Sequence, residues 1–289
     1  MNEYTYQWDA SQEEPILKIT KSSFGSFQWC PKKYEFSYIE KMPIDTTEAM
    51  IKGTVVHNSR EDFFDNFDVI KAENMSHSEL IDYNIGLHPV DEYSDMYTTI
   101  SAFEAQRFLD AKDAGQLDQY LPVINEEMLD AEIVIPRNIN PKFPLLRDYT
   151  VHLQGIIDRM FISTDDNGDL GYVPMELKTG AWKDYKQTSM RKELAFYKFL
   201  LENAPQERLE ELGIDRNIPV SHWAWYYPAS NYLQVEKVKK ASMKAVINGI
   251  AQMIHAYERK TFPTKYFYKT CAHCSFFNIC ESAQSEAWV

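Results

Sequence analysis

Two β-like segments separated by a polar turn constrain the fold of this chain most strongly. Residues 150–162 and 171–178 are rich in β-branched and aromatic residues, and turn-forming residues lie between them. This pattern predicts a β-hairpin. Because side chains alternate between the faces of a strand, Glu176 and Lys178 share one face, and Asp158 on the neighbouring strand can meet them across the ladder.

The convergence of Asp158, Glu176 and Lys178 on one patch of sheet suggests a metal site. Two carboxylates at one point repel each other unless a cation lies between them, so a divalent ion is the natural interpretation. A Glu-x-Lys pair on a strand is also a common solvated ion pair that contributes little. Residues elsewhere in the chain are needed to distinguish a metal site from a solvated ion pair.

The length of 289 residues corresponds to one large or two small domains, and 44% hydrophobic and 25% charged residues are typical of a globular protein. No run of about 18 apolar residues is present, so no transmembrane helix is expected. The amino terminus is polar and acidic, unlike a secretory signal. We expect a cytoplasmic protein with a single domain over residues 1–289.

The net charge of −13 is concentrated in one segment. Residues 58–132 contain 18 acidic and 4 basic residues, so the rest of the chain is close to neutral and carries local basic clusters, one of which includes Lys21. The charge therefore does not exclude a DNA partner. Residues 58–130 carry no motif and are predicted to form an acidic, mainly helical insertion, with the clearest helix at 97–114.

The order of the remaining elements predicts an α/β fold. Strands are expected at 131–136, 220–227 and 232–238, besides the hairpin. Helices with apolar residues at i, i+4 and i+7 spacing are expected at 183–202 and 241–260. This order is typical of a mixed central β-sheet flanked by helices.

Several polar residues border the apolar faces of predicted helices. His57 stands beside the apolar stripe of a helix from Gly53 to about Phe67, where a histidine is either a core residue or a ligand. Glu193 and Tyr197 lie one turn apart on the helix at 183–202. A packed tyrosine with an exposed glutamate would explain that pair equally well.

All four cysteines fall into a metal-ligand pattern. Cys271, Cys274 and Cys280 form C-x2-C-x5-C, and Cys30 precedes Pro31 near the other end of the chain. Thiols packed so closely in a cytoplasmic protein are poor candidates for disulfides. A four-cysteine zinc site and an iron–sulfur cluster both require tetrahedral thiolate ligands, and the spacing leans mildly towards the cluster. Either site would join segments 16–42 and 261–283 as a clasp.

Six ordered motifs resemble one nuclease family. They are Cys-Pro-x-Lys-Tyr, Gly-Thr-x-x-His, Gly-x-x-Asp-Arg, Glu-Leu-Lys-Thr-Gly, a helix with x-Leu-x-x-Tyr, and the terminal C-x2-C-x5-C. In this order the chain resembles the RecB-like branch of the PD-(D/E)XK nucleases, and most closely the members with an iron–sulfur cluster: the AddB nuclease domain and related CRISPR-associated exonucleases. The resemblance runs from about Ile19 to Cys280, without the acidic insertion, and implies a restriction-endonuclease-like core.

The resemblance also implies a role for each matching residue. His57, Asp158, Glu176 and the carbonyl of Leu177 would hold Mg²⁺ or Mn²⁺, and Lys178 would position or help deprotonate the attacking water. Tyr197 would support the site and contact DNA. The family usually has Gln at the position of Glu193. The remaining implied ligands, those of a [4Fe–4S] cluster, are Cys30, Cys271, Cys274 and Cys280.

The function expected from these observations is a metal-dependent DNA exonuclease that acts on single strands or DNA ends in recombination, repair or viral DNA processing. The alternative is a non-catalytic DNA-binding or assembly module that retains the fold and the cluster. No Walker A loop is present, so any unwinding would require a helicase or recombination partner.

Overall fold

A computed structural model describes residues 17–88, 93–165 and 167–286 of the chain. Residue 16 of the predicted clasp, residue 166 of the predicted hairpin turn and both ends of the predicted domain 1–289 lie outside the described residues.

Six strands form one mixed sheet in the described part of the chain. They are β1 (Leu17–Thr20), β2 (Ile124–Ile135), β3 (Tyr149–Thr164), β4 (Leu170–Leu177), β5 (His222–Tyr227) and β6 (Tyr232–Lys237). β1 is parallel to β3 and β4 to β5, whereas the other pairs are antiparallel. The predicted hairpin is β3–β4, and the mixed central sheet is confirmed.

Three strands pair with β3, which therefore organises the sheet. β2 covers one edge of β3 over residues 149–160. On the opposite edge, β1 pairs with residues 151–154 and β4 pairs with residues 159–164. The carboxyl ends of β1 and β4 therefore approach each other head to head, beside residues 155–158 of β3.

The helices of the described residues flank this sheet. They are α1 (Lys21–Trp29), α2 (Pro31–Tyr34), α3 (Glu48–Asn66), α4 (Val69–Ala72), α5 (His77–Gly86), α6 (Ser94–Asp113), α7 (Gln187–Asn203), α8 (Gln206–Glu211), α9 (Lys240–Glu258), α10 (Tyr268–Cys271) and α11 (Glu281–Glu286). A π-helical turn at Glu35–Ile39 extends α2.

Alternate side chains of the sheet enter two different apolar cores. On β5, Trp223 and Trp225 pack into the core formed with α1, α7 and α9, whereas Ala224 and Tyr226 pack into the core formed with α3 and α6. The period of two thus gives a sheet that is buried on both faces. The acidic segment contributes most of the second helical layer.

Most predicted boundaries agree with the structure to within about four residues, and two differ by more. β2 begins at Ile124, so residues 124–130 of the predicted helical insertion belong to a strand that pairs with β3. α3 begins at Glu48 instead of Gly53, because the Thr47 side chain accepts a hydrogen bond from the backbone N–H of Met50 and caps the helix earlier.

Candidate metal centre and active site

The candidate site lies where the ends of β1 and β4 approach β3. A capping box at Thr20 and Ser23 ends β1 and starts α1, which makes Lys21 the first residue of the helix. Gly155 on β3 leaves room for it, because a Cβ at Gly155 would lie 3.4 Å from Cβ of Lys21 and 3.1 Å from Cδ1 of Leu200. The glycine of the Gly-x-x-Asp-Arg motif therefore permits the close approach of α1 and α7 to the sheet.

Asp158 occupies the gap between the two strand ends with both carboxylate oxygens engaged. Oδ2 accepts a hydrogen bond from the backbone N–H of Leu177 at 3.0 Å. Oδ1 lies 3.1 Å from the hydroxyl of Tyr197 and 3.8 Å from Nζ of Lys21. Burial raises the pKa of Asp158, and the neighbouring Glu176 carboxylate raises it further.

Glu176 is buried among cations. Its Oε1 accepts a hydrogen bond from Lys178, and Nζ of Lys21 lies 3.1 Å from each of its oxygens. The hydroxyl of Tyr197 lies 2.5 Å from Oε2. Burial by itself opposes ionisation of Glu176, but Lys178 and Lys21 outweigh it and hold its pKa well below the ordinary value. The pKa of Lys21 is raised, because attraction to Glu176 and Asp158 outweighs the effect of burial.

His57 on α3 reaches the site from the other face of the sheet. Its Nδ1 lies 2.9 Å from Oε1 of Glu126, and its Nε2 lies 3.2 Å from the carbonyl oxygen of Leu177. Burial lowers the pKa of His57, but Glu126 and Asp158 outweigh it and raise the pKa above the ordinary value. The imidazole therefore lies between the Glu126 carboxylate and the Leu177 carbonyl, beside residues that the sequence predicts as metal ligands.

Glu126 adopts an unusual backbone conformation within β2. Its φ of 56° lies in the left-handed region, which residues other than glycine rarely adopt. The flanking pairs Asn125–Arg159 and Glu127–Ile157 place it opposite Asp158. Its Oε1 contacts Nδ1 of His57 and accepts a hydrogen bond at 3.1 Å from Nη1 of the buried Arg159 guanidinium. Strain of this kind is concentrated at functional sites.

Among the described residues, one group of metal-ligand side chains stands close enough to share an ion. His57, Glu126 and Asp158 each offer an atom within 4.8 Å of the others. One imidazole and two carboxylates suit Mg²⁺, Mn²⁺ or another divalent cation that accepts oxygen ligands. The carboxylate of Glu176 faces the lysines instead, on the opposite side of Asp158.

Lys178 lies at the open side of the site. Besides Glu176 it donates a hydrogen bond to Oε2 of Glu193 at 2.9 Å, and its side chain is 34% exposed. Attraction to Glu176 and Glu193 outweighs burial and raises the pKa of Lys178 well above the ordinary value. Lys178 is therefore an ammonium ion at neutral pH. Burial raises the pKa of Glu193.

The predicted cysteine set converges on one cavity. Cys30 ends α1, Cys271 ends α10, and Cys274 and Cys280 follow it. All four line the same cavity, together with aromatic side chains such as Phe36 and Phe276 and the basic side chains of Lys32, Lys33 and Lys265. Four thiols, an apolar lining and neighbouring ammonium groups suit an anionic metal–thiolate centre.

Two residues of the site carried no recognisable signal in the sequence. In the sequence, Lys21 belongs to a basic cluster without a motif of its own, and Glu126 lies in an acidic segment where carboxylates are abundant. The register between β2 and β3 is what places Glu126 opposite Asp158. A strand that begins at Ile124 instead of Ala131 includes Glu126 and aligns it with Asp158.

Comparisons with known proteins identify the family. Residues 18–281 match the family model described as the PD-(D/E)XK nuclease superfamily. The chain belongs to this superfamily, whose members are usually metal-dependent nucleases, and its mixed six-stranded sheet is consistent with a restriction-endonuclease-like core.

No curated protein matches the chain. Among solved structures, it is similar to a chain described as "Crystal structure of SSO0001", with 12% sequence identity and a TM-score of 0.32. The match covers 81% of this chain and 97% of that one. Within the described residues, no helix combines the length and the apolar character needed to span a membrane.

Proposed function

We propose that this protein is a divalent-metal-dependent DNA exonuclease of the RecB-like branch, which hydrolyses phosphodiester bonds in single strands or at DNA ends. The observation that carries the proposal is the arrangement around Asp158. Candidate metal-ligand atoms of His57, Leu177 and Asp158 lie on one side, and the ammonium of Lys178 lies beside the open face.

The metal ligands would be His57, Asp158 and the carbonyl of Leu177, with Glu126 close enough to join them. Glu176, which the resemblance also implies as a ligand, contacts Lys21 and Lys178 and would hold these two ammonium groups beside the ion. Nε2 of His57 and the carbonyl oxygen of Leu177 lie 3.2 Å apart, so a cation that replaces the proton between them would satisfy both. When bound, Mg²⁺ or Mn²⁺ would activate water and stabilise the charge that develops on the phosphate oxygens.

Lys178 would orient the attacking water and stabilise negative charge. Two of its three N–H donors are directed at Glu176 and Glu193, which leaves one for water or phosphate. Its raised pKa makes it a poor base, so positioning is favoured over deprotonation. Glu193, in the place of the usual Gln, would hold this ammonium in position.

Tyr197 would keep the two carboxylates at a constant separation. Its buried hydroxyl lies within hydrogen-bonding distance of both Asp158 and Glu176 and accepts a hydrogen bond from Lys21. We propose that it is a positioning residue, with any contact to DNA made by the exposed residues of the same helix.

The four cysteines would hold a [4Fe–4S] cluster that closes the clasp between segments 16–42 and 261–283. The shared cavity and its basic rim support this assignment. Zinc is the alternative occupant. The absorption spectrum and sulfide content of protein purified without oxygen distinguish the two occupants. A cluster gives a broad brown absorption and acid-labile sulfide, whereas a zinc protein is colourless.

The decisive experiment is a nuclease assay with the full chain purified without oxygen. End-labelled single- and double-stranded DNA is incubated with Mn²⁺ or Mg²⁺, beside Glu176→Ala, an EDTA control and the matched surface variant Glu207→Ala. We expect metal-dependent degradation by the wild type and Glu207→Ala, and none by Glu176→Ala. The product ladder reports polarity.

DNA binding without cleavage under every condition would overturn the nuclease proposal. The non-catalytic DNA-binding or assembly module would then be the better interpretation.

Single strands should be degraded without help, whereas long duplexes would require a helicase or recombination partner. We place this activity in the cytoplasm.

A further inference from the structure

The two carboxylate oxygens of Asp158 face two separate cation positions. Oδ2 lies 3.8 Å from Nδ1 of His57, on the side of the predicted metal. Oδ1 faces Lys21 and Tyr197, on the side of Glu176. In enzymes with two metal ions, the ions stand about 3.5–4 Å apart and clamp the attacking and leaving oxygens. One carboxylate that faces two such positions matches this arrangement.

The second position is filled by the ammonium of Lys21. Its Nζ lies 3.1 Å from both oxygens of Glu176 and 3.8 Å from Oδ1 of Asp158, and it donates a hydrogen bond to Tyr197. Carboxylate oxygens and a phenol oxygen are also the kind of ligands that a hard cation prefers.

The local structure is built to keep Lys21 there. The capping box at Thr20 starts α1 at this residue, and the absence of a side chain at Gly155 makes room for its stem. The first turn of α1 therefore delivers the ammonium to the gap between the strand ends.

We propose that Lys21 permanently occupies the second cation position, so that this nuclease takes a single divalent ion, on the His57 side. The inference rests on the proposed metal-dependent hydrolysis and specifies how many ions the site uses.

The charges around the gap agree with one ion. The carboxylates are those of Glu126, Asp158, Glu176 and Glu193, and the cations are Lys21, Lys178 and Arg159. With His57 neutral as a ligand, one negative charge is left over, and one divalent ion leaves a single positive charge. A second ion would leave three positive charges in a largely buried site, which is costly. Without the Lys21 charge, two ions would leave two positive charges instead of three, and the position beside Glu176 would be free for the second ion.

Manganese titration of the full chain tests the inference. Isothermal titration with MnCl₂ and electron paramagnetic resonance are applied to the wild type, Lys21→Met and the exposed control Lys240→Met. We expect one ion in the wild type and in Lys240→Met. Lys21→Met should bind two, and its spectrum should show a magnetically coupled pair.

Several outcomes would overturn the inference. A coupled pair in the wild type, or a single ion in Lys21→Met, would remove Lys21 from the second position and leave the proposed nuclease intact. The absence of manganese binding in every protein would overturn both proposals, a result distinct from two-ion binding. Lys21→Gln can still hydrogen-bond to Tyr197 and replaces Lys21→Met if circular dichroism shows that the latter is unfolded. Lys21→Arg should bind one ion.

Discussion

The carboxylate of Glu126 lies 2.9 Å from Nδ1 of His57, whose other ring nitrogen faces the carbonyl of Leu177 at 3.2 Å. A carboxylate acceptor at Nδ1 places the proton there and leaves Nε2 free to bind a metal, an arrangement common to metal-ligating histidines. Glu126 makes this contact from a left-handed backbone conformation, with a φ of 56°.

Glu126→Gln should therefore weaken Mn²⁺ binding, roughly 10- to 100-fold as for other partners of metal-ligating histidines. Isothermal titration at neutral pH measures the effect directly. Glu127→Gln on the same strand is the matched control, since Glu127 pairs with Arg208 away from the site. Equal affinities in the two variants would show that Glu126 plays no part in the metal site.

Lys178→Met should lower kcat by about 10²–10³-fold, as for the loss of one preorganised donor, without abolishing Mn²⁺ binding. The methionine retains the packing of the side chain but removes the ammonium between Glu176 and Glu193. Steady-state cleavage rates and a melting curve are measured together. A wild-type rate in the folded variant would contradict the assignment of Lys178.

Asp158→Ala should abolish cleavage in the same assay.

Gly155→Ala should destabilise the protein by about 1–3 kcal/mol, because the new methyl group would press against Leu200 at 3.1 Å and Lys21 at 3.4 Å. Gly53→Ala is the contrasting control: it lies inside α3 with nothing within 4 Å of its Cβ and should be neutral or stabilising. Urea unfolding of both variants tests the difference. Similar free energies of unfolding would contradict the close approach.

Cys274→Ala should lower both the metal content and the melting temperature, because this thiol is one of the four that line the clasp cavity. The iron, sulfide and zinc contents are measured beside the melting curve. Ser275→Ala, the next residue along, should change neither. An unchanged melting temperature in Cys274→Ala would argue against a stabilising clasp.

His88 should make the stability fall with acid. It stacks on Phe63 and Tyr97, and burial together with the nearby Arg60 lowers its pKa to about 4. In the unfolded chain this histidine titrates near 6.5. The contribution of neutral His88 to the free energy of unfolding is therefore complete above about pH 7 and is lost as the pH falls towards 4. Between pH 7.5 and 5.5 the loss is roughly 1 kcal/mol.

Urea unfolding of His88→Gln and of the exposed control His77→Gln at both pH values measures this contribution. The wild type and His77→Gln should lose more stability on acidification than His88→Gln. Parallel losses in all three proteins would rule out His88 as the source.

The sequence alone determined the strand hairpin, because alternation and turn residues are local properties. Asp158, Glu176 and Lys178 follow from that period of two, and His57 and the four cysteines follow from ordered motifs. The structure brings Asp158, Glu176 and Lys178 together and lines one cavity with the cysteines. Their catalytic and ligand roles remain predictions for the assays above.

The tertiary structure alone decided the places of Lys21 and Glu126. Lys21 lies 155 residues from Glu176 in the chain, and Glu126 lies 69 residues from His57. Their contacts depend on β1 and β4 sharing one edge of β3 and on the register of β2 along the other edge. Strand pairing over such distances in the sequence is set by the packing of the whole sheet, so it cannot be predicted from local residue patterns.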